Sequence, residues 1–127
     1  MKRILVGVAA MLVLFTFVAA RQTAPLRAPK GILRHTVAFN FKPDVPQSTI
    51  DKILAETRTT LPTIKGATNI VVGPQTSDWT KYKYGISIDF VSKEAKTFYA
   101  NSPQSKRLHE QYKKYVEEEV VIDVFNE

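Results

Sequence analysis

Leu33-Arg34-His35-Thr36-Val37-Ala38-Phe39-Asn40-Phe41 alternates without a break. Successive side chains of an extended chain point to opposite faces. Leu33, His35, Val37, Phe39 and Phe41 therefore share one face, and Arg34, Thr36, Ala38 and Asn40 the other. The segment reads as a strand with one apolar face. A histidine stands in the apolar row. An ionisable group there is either a core group with a hydrogen-bond partner or part of a site.

Working outward from this strand, the downstream sequence spells an order of elements. Pro43 and Pro46 make Lys42 to Gln47 a loop. Ser48 and Asp51 resemble a capping box, and Ile50, Ile53, Leu54 and Leu61 follow at helical spacing until Pro62. Ile70-Val71-Val72 is a short apolar strand ended by Gly73-Pro74. Trp79 lies in the polar loop Gln75 to Lys81. Tyr82 to Phe90 alternates again and predicts a third strand. Ser92 caps a short helix with Ala95, Phe98 and Tyr99 as its apolar face. Ser102-Pro103 starts another helix, with Leu108, Tyr112, Tyr115 and Val116 as its stripe. Glu117-Glu118-Glu119 reads as its solvated end. Val120 to Phe125 is β-branched and apolar, which predicts the last strand.

Strand, helix, strand, strand, helix pair, strand is the order of two split βαβ halves. It predicts an α+β, ferredoxin-like fold: a four-stranded antiparallel sheet with helices on one face. The open face would carry Arg34, Thr36, Ala38, Asn40, Lys83, Ser87 and Asp89. These are mostly polar, so the pattern alone allows that face to be wet.

Upstream, Lys2 and Arg3 precede an apolar run from Ile4 to Ala20 that ends Val18-Ala19-Ala20. Charge, length and small terminal residues predict a signal peptide over 1–20 and an exported protein, periplasmic or secreted. An uncleaved leader would be its sole tie to a membrane. Residues 21–31, with Pro25, Pro29 and Gly31, read as a linker, and 32–127 as the domain. The chain of 127 residues has a net charge of +6 and no cysteine. An exported domain of this kind is held by its core alone. No basic stripe or zinc spacing points to nucleic acid. No phosphate loop, nucleophile elbow or catalytic cysteine is present, no cofactor is expected, and two histidines are too few for a metal site.

Candidate site residues follow from the inward rows. His35 has an imidazole that titrates near neutrality when unperturbed. Tyr84 is inward on the third strand and Tyr99 on the short helix. Ser105 shares the stripe of Leu108, and His109 lies at its edge. Together they predict a pocket between sheet and helices.

The sequence resembles the stress-responsive A/B barrel family, or Dabb domains. The matching pieces are Arg34-His35 before the alternating strand; Ile64-Lys65-Gly66-Ala67; Val72-Gly73; Phe90 before a Ser-led helix; Tyr99-Ala100-Asn101-Ser102-Pro103-Gln104-Ser105; and Val121-Ile122-Asp123. They span roughly Ile32 to Phe125. The resemblance implies a homodimer, joined sheet to sheet into a dimeric α/β barrel, with the open sheet face buried. Plant members similar to olivetolic acid cyclase close polyketide rings with a strand histidine, a helix histidine and a tyrosine. By resemblance His35 matches the strand histidine and Tyr99 the tyrosine. The helix histidine falls on Ser105, which cannot serve as a base without a partner. The expectation is an exported dimer binding a small hydrophobic or aromatic ligand. The alternatives are a cofactor-free lyase, cyclase or oxygenase, and a stress-protective oligomer without ligand.

Overall fold

The computed structural model describes residues 28–127. The expected signal peptide, and the linker as far as residue 27, lie outside the described residues. Four strands form one sheet: β1 (Leu33–Phe41), β2 (Ala67–Pro74), β3 (Tyr84–Phe90) and β4 (Val116–Phe125). Three helices accompany them: α1 (Gln47–Thr60), α2 (Lys93–Asn101) and α3 (Pro103–Tyr112). The sheet order is β2-β3-β1-β4, with every pair antiparallel. This is the ferredoxin-like α+β arrangement, with the helices on one face.

The opening strand sits at the centre because its alternation is matched on both sides. Leu33 lies opposite Phe90 and Phe125, His35 opposite Ile88 and Asp123, and Val37 opposite Ile86 and Val121. Directly paired residues share a face, so each row runs across three strands. The helix-facing side holds the core. Ile88 and Phe90 are fully covered and Leu61 is 2% exposed. Burying each of these contributes about 1.5–3 kcal/mol.

Local signals set the helix ends. The Ser92 hydroxyl accepts from the Ala95 amide at 3.0 Å, and Ser102 from the Ser105 amide at 3.2 Å. Pro103 occupies the first turn of α3, where its missing N–H costs nothing. Gly66 has φ +87, and a side chain there would meet Cβ of Ala95 at 2.8 Å. Only glycine joins α1 to β2 while letting α2 pack this close. Asn69, at φ 47, marks a bulge in β2 between Thr68 and Val71.

The structure corrects several expectations. Pro46, not Ser48, takes the N-cap of α1, its fixed φ of −62 suiting that position. Asp51 accepts from the Gln47 side chain at 2.9 Å instead of closing a capping box. β2 is longer than Ile70–Val72, and β3 begins at Tyr84 rather than Tyr82. Phe98 is 54% exposed, since it stands about 100° around α2 from the inward Tyr99. α3 stops at Tyr112, and Glu117-Glu118-Glu119 belongs to β4 rather than to a helix end. There β1 offers its unpaired edge, and the backbone hydrogen bonds along it outweigh the helical preference of glutamate.

The open sheet face also differs from its expected polarity. Arg34 and Asp89 form a bidentate ion pair there, at 2.7 and 2.9 Å. Beside them, β4 adds an apolar stripe: Val120, Ile122 and Val124 are 36%, 54% and 59% exposed. Val71 of β2 adds a further exposed apolar side chain. The sequence reading omitted β4 and β2 from this face, and those two edge strands carry its apolar surface.

Candidate functional site

His35 is positioned by the central strand and 8% exposed. Its Nδ1 lies 2.6 Å from Oδ1 of Asp123, the residue directly across on β4. Oδ2 of the same carboxylate meets Nζ of Lys96 on α2 at 2.9 Å. Burial alone would raise the Asp123 carboxyl. The hydrogen bonds from His35 and Lys96 outweigh it and hold that carboxyl below its ordinary value. An ionised carboxylate only accepts, so the His35 Nδ1–H donates to it. In the neutral tautomer this leaves the free lone pair on Nε2. That atom has no protein partner among the described residues and is not sealed from solvent.

Two aromatic rings bracket the imidazole. Phe90 lies 6.2 Å and Tyr99 6.0 Å from it, centroid to centroid, and they are 5.0 Å from each other. Burial pushes the Tyr99 hydroxyl up from its ordinary value, while the Ser105 hydroxyl and the Lys96 charge act the other way. Tyr99 therefore stays a neutral hydroxyl at physiological pH, able to donate or accept.

His35, Lys96, Tyr99 and Ser105 line a cavity of about 940 Å³ between the sheet and the helices. Polar side chains in its lining include Lys106, His109 and Glu110 of α3 besides these four. Val37, Phe39, Leu54, Leu61, Ile86 and Leu108 are among its apolar walls. A concave, mostly apolar site with a few convergent polar groups is the usual form of a small-molecule pocket. Deeper along α3, Tyr112 donates to Glu56, and burial together with that carboxylate pushes its hydroxyl far up.

Of the five residues expected at the site, four line this cavity: His35, Tyr99, Ser105 and His109. His109 lines it while remaining exposed, at the rim. Tyr84 stands apart, its ring 5.9 Å from Phe39 and 5.1 Å from Phe41, behind the cavity wall. The sequence alone paired neither Asp123 nor Lys96 with His35. Asp123 left a signal, a lone carboxylate in the apolar run Val120 to Phe125. Its pairing with His35 depends on register between strands far apart in sequence.

A family model described as the Stress responsive A/B Barrel Domain, or Dabb, matches residues 33–126. The chain belongs to the Dabb family. No curated protein sequence matches it. Among solved structures, the Dabb domain is similar to a Dabb family protein with a ferredoxin-like fold from Mesorhizobium loti MAFF303099. The two share 26% identity over 77% of this chain and 99% of that one, with a TM-score of 0.70. It also resembles a hydroxynitrile lyase from Passiflora edulis, at 18% identity, 78% and 96% coverage and a TM-score of 0.70. A dimeric ferredoxin-like protein of unknown function from Thermobifida fusca YX matches at 13% identity, 79% and 95% coverage and a TM-score of 0.69. At these last two identities the likeness is one of fold.

Proposed function

We propose that this Dabb domain is an exported homodimer that binds a small hydrophobic or aromatic molecule between sheet and helices. His35 and Tyr99 engage the ligand's polar end, and Ser105 and His109 border it. The observation that carries the reading is the His35–Asp123 pair at 2.6 Å, whose imidazole lines a cavity with apolar walls. The pair leaves an imidazole acceptor on the cavity side, suited to a hydroxyl or phenol donor on an otherwise apolar ligand.

The dimer reading rests on the apolar stripe of β4, on Val71, and on the dimeric state of the Thermobifida fusca protein. Export rests on the charged, apolar and small-residue pattern of residues 1–20. Thermal-shift and fluorescence titration with small aromatic alcohols, 2-naphthol first, tests the pocket. Stabilisation of the wild type that is lost in His35→Ala supports it. Equal stabilisation of both proteins, or of neither, rejects it.

A second reading is favoured by the same pair: cofactor-free acid–base chemistry of the lyase or cyclase type. A neutral imidazole oriented by a carboxylate is a competent general base near neutral pH. The hydroxynitrile lyase of similar fold makes cyanide release from an aromatic cyanohydrin the assay to run. A rate in the wild type no greater than in His35→Ala disposes of this reading.

A further inference from the structure

Asp123 has a 35% exposed side chain, so packing alone does not hold its carboxylate. Two bonds do so, one on each oxygen: His35 on Oδ1 and Lys96 on Oδ2. The Lys96 side chain is only 30% exposed, and it lines the cavity from α2, three residues before Tyr99. We propose that Lys96 is a positioning residue for His35. Its ammonium pairs with Oδ2 of Asp123 while strand register sets Oδ1 against the imidazole Nδ1. It also offsets carboxylate charge that would otherwise draw a proton onto the ring. This inference rests on the reading of His35 as the polar centre of the pocket.

The surroundings make Lys96 the cation that matters here. β4 presents Asp123 to His35, with Glu119 further along the same row, opposite Phe39. α2 presents Lys96 and Tyr99. β3 presents Ile88 and Phe90, which carry no charge. From α3, Lys106, His109 and Glu110 border the same cavity. The ion pair alone contributes little to stability at this exposure. Its consequence is for protonation. Without Lys96 the full carboxylate charge falls on the imidazole, the ring holds a proton to higher pH, and Nε2 becomes a donor instead of an acceptor.

The test is an NMR titration of the imidazole Cε1–H in the full-length chain. There are two histidines, so His109→Gln assigns the His35 signal. In Lys96→Met the His35 midpoint moves up by roughly 0.5–1 in pH, the effect of losing a partly screened charge a few ångströms away. Lys96→Arg stays with the wild type.

A Lys96→Met midpoint equal to the wild type, or displaced downward, overturns the proposal. If Lys96→Met does not fold, Lys96→Gln replaces it, and a Lys96→Arg midpoint displaced as far as that of Lys96→Gln is equally fatal. Failure of 2-naphthol to bind the wild type would remove the ligand reading and leave this titration intact.

Discussion

Replacing Ile122 with glutamate is expected to turn the proposed dimer into a monomer. Val120, Ile122 and Val124 are 36%, 54% and 59% exposed on the open face of β4. Fully burying an aliphatic side chain contributes about 1.5–3 kcal/mol, so covering the exposed parts of all three contributes about 2–4.5 kcal/mol per protomer. A two-fold interface uses the same patch twice, giving roughly 4–9 kcal/mol before the cost of association. Ile122→Glu removes the largest side chain of the stripe from both protomers and leaves two carboxylates facing an apolar surface. A combined loss of about 3 kcal/mol or more corresponds to at least roughly a hundredfold weaker dimer. The helix-facing core is untouched, because Ile122 lies opposite Thr36 on the outer row. Light scattering and sedimentation across a concentration series read the result, with circular dichroism confirming the fold. A wild type that stays monomeric at the highest concentration reached refutes the reasoning, as does an Ile122→Glu dimer of unchanged affinity.

Three further outcomes follow from the core and its charges. Phe90→Ala, at a fully buried ring touching both His35 and Tyr99, should cost about 3–5 kcal/mol in urea unfolding and weaken 2-naphthol binding; a cost under 1 kcal/mol would contradict the packing. Gly66→Ala combines a left-handed φ with a 2.8 Å approach to Ala95, so it should cost about 1–3 kcal/mol and displace α2 with Lys96 and Tyr99; unchanged unfolding would deny the close packing there. Asp89 and Asp123 both sit below their ordinary values, Asp89 chiefly through its hydrogen bond from Arg34. The unfolded chain takes up protons first as pH falls, so the stability they contribute is full above the ordinary carboxylate range and lost as pH drops through their folded values. Thermal melts between about pH 5 and 2 should show this loss, and Asp89→Asn should flatten it; an unflattened profile would place the acid sensitivity elsewhere.

The alternation from Leu33 to Phe41 determined the central strand, its bounds and its helix-facing row. Ser92 and Ser102-Pro103 determined where α2 and α3 begin, because a hydroxyl cap and a first-turn proline act within a few residues. These are local signals, carried by spacing and by side chains bonding their own backbone. They sufficed for the order of elements and for four residues of the cavity.

Tertiary structure decided the rest. Glu117-Glu118-Glu119 became strand because the edge of β1 supplied hydrogen-bond partners that no local preference reveals. Asp123 met His35 through a strand register set by the whole sheet. Lys96 reached that carboxylate because Gly66 lets α2 lie close. The apolar stripe of Val120, Ile122 and Val124 gained its meaning only when β4 joined the open face. Local physics wrote the elements, whereas contacts between residues distant in sequence assembled the charges around one imidazole.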